Sequence, residues 1–209
     1  MDFATIPRLT RTLIIINVLV FFAQSFFAGD MLIANFALWP LESISTGLDS
    51  SVAFRPWQII TYSFLHDGFG HLFFNMLALF MFGGELEVLF GTNRFSKLYF
   101  SSVIFAAITQ LFIASMLGEE LRPTVGASGG VFGLLLVYGM YFPHRTILLL
   151  IPPVPLPARL FVFLYGALEL FLGVTQTQEG VAHFAHLGGM LGAWILIRFW
   201  QRRSPFKRN

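Results

Sequence analysis

Residues 126–142 read GASGGVFGLLLVYGMYF, five small residues that pass without a break into an apolar stretch. The small residues leave bare backbone on both sides of the Ser128 hydroxyl, with room for another chain to approach it. Pro123 upstream and Phe132-Gly133-Leu134-Leu135-Leu136 downstream predict a loop that enters a helix near Ser128. The first N–H groups of such a helix have no intrahelical acceptor, so they can face developing negative charge. The blander reading of the same letters is a small-residue face on which membrane helices pack. The rest of the chain has to separate the two.

Outward from this run, the chain of 209 residues is 56% hydrophobic and 11% charged, with a mean hydropathy of +0.73. That balance excludes a soluble domain. Apolar segments at about 10–28, 71–90, 95–117, 128–142, 156–174 and 181–200 are long enough to cross, or nearly cross, a hydrocarbon core of about 30 Å. The expected fold is an all-α, polytopic membrane helical bundle with six transmembrane helices, forming one domain over residues 1–209. Arg8 and Arg11 precede the first segment as in a signal peptide, but Ser25-Phe26-Phe27 has no small-x-small cleavage site, so an uncleaved helix is expected. There is no cysteine, which excludes disulfides and thiolate metal sites.

Six spans put both termini on one side. Of the 13 Lys and Arg residues, all but Arg55 and Arg122 fall on that side, so the positive-inside rule places both termini in the cytoplasm. The basic tail, 198–209, reads as a lipid-facing topogenic segment and not as a nucleic-acid site. The connection 29–61 is external and too apolar for a tether. It is expected to lie on the membrane surface, with Trp39 and Trp57 in the headgroup belt and Asp30, Glu42 and Asp49 toward water. The proline-rich run from Ile151 to Pro157 cannot be helical and reads as a stiff linker.

Polar groups inside spans are costly, and the few present call for an explanation. His71 and Asn75 lie four apart on one face of the second span, and His183 and His186 open the sixth. Counting about 1.5 Å of rise per residue from the inner anchors puts Ser128 and Asn75 at roughly 24 Å and His186 at roughly 18 to 24 Å. A serine, a histidine and a His/Asn pair thus share one depth on three helices. The chemistry this inventory supports is acyl transfer to water. His186 serves as base toward Ser128, a dyad because no acid adjoins the histidine motif. His71, Asn75 and the Ser128 N–H donate to the oxyanion. Water is expected to enter through a polar mouth of Ser63, His66, Asp67 and Glu179. His183 reads as structural or gating, and His66 as a brace for the long connection. Glu169, an acid in the outer half of the fifth span, is expected to cap a polar network or to accept from that connection.

With these residues in place the chain resembles a rhomboid intramembrane serine protease. The resemblance rests on Gly126-Ala127-Ser128-Gly129, His71-x-x-x-Asn75, Ala185-His186-Leu187-Gly188-Gly189 and Trp57-Gln58, and it extends from about Trp39 to Trp200. It implies cleavage of transmembrane segments of other membrane proteins, without a cofactor or metal, in a prokaryotic cytoplasmic membrane with the site opening outward. It also implies a Ser128–His186 dyad, His71 and Asn75 at the oxyanion hole, and Gly126 shaping the site. Two departures stand out. Gln58 replaces the arginine many members carry after the tryptophan, and Phe132 stands where a tyrosine often packs on the catalytic histidine; a phenyl ring can still stack there.

Small residues are expected to bring the helices together, Gly129 and Gly133 on the fourth span and Ala182, Ala185, Gly189, Gly192 and Ala193 on the sixth. Three rivals remain at this point. A zinc protease would need His-Glu-x-x-His, which is missing. A transporter or channel would show broken helices and internal symmetry. A silent rhomboid relative that binds membrane clients would lack Ser128 or His186. The oligomeric state is left open.

Overall fold

The computed structural model describes residues 6–41, 44–45, 51–117, 122–148, 153–175 and 182–203. Glu42, Asp49 and Glu179, the start of the proline-rich run (Ile151 and Pro152) and the tail beyond Arg203 lie outside the described residues.

The protein is a helical membrane bundle. Helix α1 (Arg8–Ala23) continues through a π-helical turn at Gln24–Ala28 into α2 (Gly29–Phe36). The helical rod therefore runs past the expected start of the external connection at residue 29. The apolar residues of 29–36 extend the helix, because nothing there breaks the hydrogen-bond ladder before Ala37 turns to extended backbone. After a short antiparallel pair, β1 (Ile44–Ser45) and β2 (Ser51–Val52), come α3 (Gln58–Thr61) and a 3₁₀ turn. A second long rod is built from α4 (Phe69–Ala78), a π-helical turn at Leu79–Gly83 and α5 (Gly84–Phe90). Gly91, at φ 75°, reverses the chain into α6 (Thr92–Leu117). A residue with a Cβ is disfavoured at that φ. Then follow α7 (Ser128–Tyr141), the antiparallel strands β3 (Thr146–Leu148) and β4 (Pro155–Pro157), α8 (Ala158–Thr175) and α9 (His183–Arg203). The end of the expected stiff linker is thus a strand: Pro155 to Pro157 pair with Leu148 to Thr146.

The rods 8–36, 69–90, 92–116 and 158–175 are long and apolar enough to cross a membrane, and α7 is a shorter apolar helix. Helices α6, α7 and α9 make the centre, and α7 is the most enclosed, with ten of its 14 residues buried. Around them α1 is tied in by a carboxylate. Glu87 accepts from Thr10 N at 2.7 Å, Thr10 Oγ1 at 2.8 Å, Leu9 N at 3.0 Å and Thr92 Oγ1 at 2.8 Å. It thereby satisfies the free N–H groups at the start of α1, where the helix dipole also favours an anion.

The segment after α2 is more deeply set than a surface lid. Trp39 is buried with Ala37 and Leu65, so protein side chains surround it. Its indole N–H donates to Ile33 O at 2.9 Å, while Trp57 remains exposed. Gln58 is buried and organises this region. Its Oε1 accepts from Arg55 N at 3.0 Å and Trp39 N at 3.3 Å, and its Nε2 donates to Asn35 O at 3.3 Å. An amide can accept and donate at once, which an arginine cannot.

Candidate active site

Ser128 is the first residue of α7, and the loop that leads to it is pinned by three backbone hydrogen bonds. Thr124 exchanges two backbone bonds with Leu38, at 3.0 and 2.9 Å, and Gly126 N donates to Tyr62 O at 3.0 Å. Tyr62 is itself fixed, because its hydroxyl donates to Val103 O at 2.9 Å. Gly126 has φ 124°, and a Cβ there would lie 2.7 Å from His71 Nε2 and 3.7 Å from Ser128 Oγ. Both the backbone conformation and the space require glycine. The His71 ring fills that space and so stands beside the hydroxyl. Asp67 N donates to His71 Nδ1 at 3.4 Å, which leaves His71 Nε2 to carry the proton toward the site.

Helix α9 brings His186 to the serine, with Nε2 at 2.8 Å from Ser128 Oγ. The approach needs helices without side chains between them. A Cβ on Gly189 would lie 2.0 Å from Gly129 O, and one on Gly133 would lie 2.9 Å from Gly189 O and 2.0 Å from Ser102 Oγ. Backbone thus touches backbone one turn below the serine, as the small-residue pattern requires. Gly192 belongs to a different contact, because its Cβ would strike Phe105 on α6. Phe132 lies flat on the imidazole, centroid to centroid 4.1 Å with planes 5° apart, and Tyr165 of α8 packs on the other side of Phe132 at 5.0 Å.

The other nitrogen of His186 is engaged too. Its Nδ1 is 2.7 Å from Glu169 Oε2, and Nδ1 of His183 is 2.7 Å from the same oxygen. Glu169, His183 and His186 are all buried. The sequence reading found no acid for the histidine because Glu169 stands on another helix, 17 positions away in sequence. The signal was available, however: an intramembrane carboxylate and an intramembrane histidine pair are each rare, and such groups pair with one another. His183 therefore shares the acid with His186, and among the described residues Glu169 joins this histidine pair in a polar network.

These three side chains also form a donor set that could hold a cation, with the ligand atoms within 4.8 Å of one another. A tetrahedral ion with bonds of about 2.0–2.1 Å would spread its ligands to roughly 3.3 Å. Contacts of 2.7 Å between nitrogen and oxygen are instead those of charge-assisted hydrogen bonds.

Asn75 is buried one turn below His71, and its Nδ2 donates to His71 O at 3.0 Å, leaving one amide hydrogen for the site. The expected water mouth is not built as drawn from the sequence. Ser63 is fully buried with Oγ donating to Ile60 O at 2.7 Å, and His66 is fully buried as well. Only Asp67 of the described members is exposed. The turn between α3 and α4 folds Ser63 and His66 inward because their neighbours Tyr62 and Leu65 belong to the core. The His66 backbone, not its ring, ties it to α1's rod. Gln24 Nε2 donates to His66 O at 2.8 Å, and His66 N donates to Gln24 Oε1 at 3.2 Å. The ring packs edge-on to His71 at 5.1 Å with neither nitrogen hydrogen-bonded. Burial, with His71 adding to it, pushes the His66 ring down to about 3, so it is neutral at physiological pH.

The family model of the rhomboid domain matches residues 53–203. Rhomboid protein 1, mitochondrial, of Saccharomyces cerevisiae is 32% identical over 166 residues, 76% of this chain and 48% of its own length. The rhomboid protease GlpG of Photorhabdus laumondii is 28% identical over 205 residues, 96% of this chain and 64% of its own. RHOMBOID-like protein 4 of Arabidopsis thaliana is 36% identical over 148 residues, 68% of this chain and 34% of its own. The chain therefore spans between a third and just under two thirds of these relatives. With a family match over most of its length, the chain belongs to the rhomboid family.

Proposed function

We propose that this protein is an intramembrane serine endopeptidase that cuts transmembrane segments of other membrane proteins, with Ser128 as nucleophile and His186 as general base. The observation that carries the reading is the 2.8 Å contact between Ser128 Oγ and His186 Nε2, under the flat cover of Phe132. In the first half of the reaction, Oγ gives its proton to Nε2 and bonds to the carbonyl carbon of the scissile peptide. His71 Nε2–H, the free Asn75 N–H and the first amides of α7 stabilise the oxyanion that forms. As the carbonyl reforms, the C–N bond breaks and His186 returns the proton to the departing amine. Water then repeats the sequence on the acyl-enzyme, giving its proton to His186 and releasing the carboxylic acid and Ser128.

On this reading both termini face the cytoplasm and the site opens to the opposite side of a prokaryotic cytoplasmic membrane, which the distribution of Lys and Arg supports. The bilayer and membrane-embedded substrates are its partners, and the chemistry asks for no cofactor. The purified chain should cleave a reporter transmembrane segment and be labelled by a serine-directed fluorophosphonate. Ser128→Ala and His186→Ala should each lose cleavage while remaining folded. Cleavage at the parental rate by Ser128→Ala would remove the assignment. Binding of the segment without any cleavage by the parent would favour a client-binding relative.

A further inference from the structure

We propose that Glu169 is a positioning residue for the base: its buried carboxylate holds His186 through Nδ1, with His183 as a second donor on the same oxygen, so an acid stands behind the Ser128–His186 pair. The inference rests on the proposed peptidase reading and adds to it. A carboxylate can only accept, so each ring nitrogen at 2.7 Å from Oε2 must carry its proton there. For His186 this fixes the tautomer. With the proton on Nδ1, Nε2 presents a lone pair to Ser128 Oγ at 2.8 Å, which is the form a base needs. With the proton on Nε2 the ring would point a hydrogen at the nucleophile and could not take one from it.

Three further observations support the role. Glu169 is 4% exposed, on a helix whose other side chains near this depth, Leu168 and Leu170, face outward. A carboxylate enclosed at that depth is costly unless hydrogen-bonded, and the two imidazole N–H groups supply those bonds. His183 adds a second bond one helical turn from His186, and among the described residues its far nitrogen has no hydrogen-bond partner, so Glu169 is the polar group its ring meets. Finally, Tyr165, one turn from Glu169 on α8, backs the Phe132 ring that covers His186. Helix α8 thus fixes both the hydrogen-bonding edge and the face of the base.

The test uses the full chain with a reporter transmembrane segment, comparing the parent with Glu169→Leu, which removes the acceptor, and Glu169→Gln, which retains an oxygen but can also donate. Thermal unfolding establishes that each is folded. Expected are a fall in kcat of at least a hundredfold for Glu169→Leu and at least tenfold for Glu169→Gln, with KM within threefold of the parent. Nitrogen spectra of histidine-labelled protein should show the proton of His186 on Nδ1 in the parent and partly on Nε2 in the variants. A merely structural role would lower the unfolding temperature without changing that tautomer. A folded variant with parental kcat, or one whose His186 stays protonated on Nδ1 alone, overturns the inference; should Glu169→Leu not fold, Glu169→Gln decides. If the parent neither cleaves nor labels with fluorophosphonate, it is the peptidase reading that fails. If the parent cleaves and both variants match it, only the role of Glu169 fails.

Discussion

Helices α7 and α8 meet the same imidazole from two sides, and they are built in opposite ways. Ten of the 14 residues of α7 are buried, whereas α8 buries four of 18: Ala158, Val162, Glu169 and Gly173. Helix α7 is held by backbone contact, with Gly129 against Gly189 and Gly130 against the Tyr99 ring. Helix α8 turns Leu160, Phe163, Leu164, Leu168 and Phe171 outward and reaches the site through the side chains of Tyr165 and Glu169. Ser128 is therefore placed by shape, which no rotamer change can relax. His186 is oriented by the Glu169 carboxylate of α8, a helix that has little else against it, and by the Phe132 ring of α7, on which Tyr165 of α8 packs. Close packing fixes distance, and polar contacts fix direction.

That contrast is open to tests of decreasing size. The largest effect should come from Gly189→Leu. Even its Cβ would lie 2.0 Å from Gly129 O, so α7 and α9 must separate and Ser128 leave the reach of His186. Cleavage and fluorophosphonate labelling should fall by at least a hundredfold in folded protein, while the outward-facing control Ile195→Ala keeps both. Labelling of Gly189→Leu at the parental rate would show that shape does not set the distance.

A smaller effect is expected at the oxyanion side. Removing one donor typically costs about 2.7 to 4 kcal/mol in the transition state. Asn75 already spends one amide hydrogen on His71 O, and His71 stands beside it, so Asn75→Ala should fall at or below the low end of that range. The expected signature is a drop in kcat of roughly ten- to a hundredfold, with KM little changed. An effect confined to KM would move Asn75 to substrate binding.

The smallest change sharpens the comparison from the other side. A Cβ on Gly166 of α8 would meet only Met190 Cε and Sδ at 3.7 Å, an ordinary contact. Gly166→Ala should keep kcat within twofold and raise stability by up to about 1 kcal/mol, the difference in helix propensity. Loss of activity in that variant would mean that α8 is as tightly fitted as α7.

Much of this was legible in the residues. Apolar length and the scarcity of charge specify a helical membrane protein, because the bilayer leaves few ways to satisfy a backbone. The depth count brings Ser128, His186 and Asn75 to one level, because helical rise is nearly constant and the inner anchors supply an origin. Small residues around Gly129 and Gly189 announce a close approach, since only they permit it. Phe132 can be placed over the histidine through the family resemblance, and a phenyl ring stacks regardless of the missing hydroxyl.

What tertiary structure alone decided are the partnerships between helices. Helical spacing says which side chains share a face of one helix, but not how one helix is rotated against the next. Glu169 could be recognised as an expensive acid, yet whether it met the histidines or the external connection depended on the rotation of α8. Ser63 and His66 had the composition of a watery mouth, and the turn that carries them folded both into the core. Trp39 suited the headgroup belt by type, and its neighbours buried it. The sequence by itself determined the membrane bundle and the common depth of Ser128 and His186, because these follow from periodicity, length and rare polar letters. The acid behind the base, the backbone touch at Gly129 and Gly189 and the closed polar corner at His66 were set by three-dimensional packing, which no one-dimensional spacing encodes.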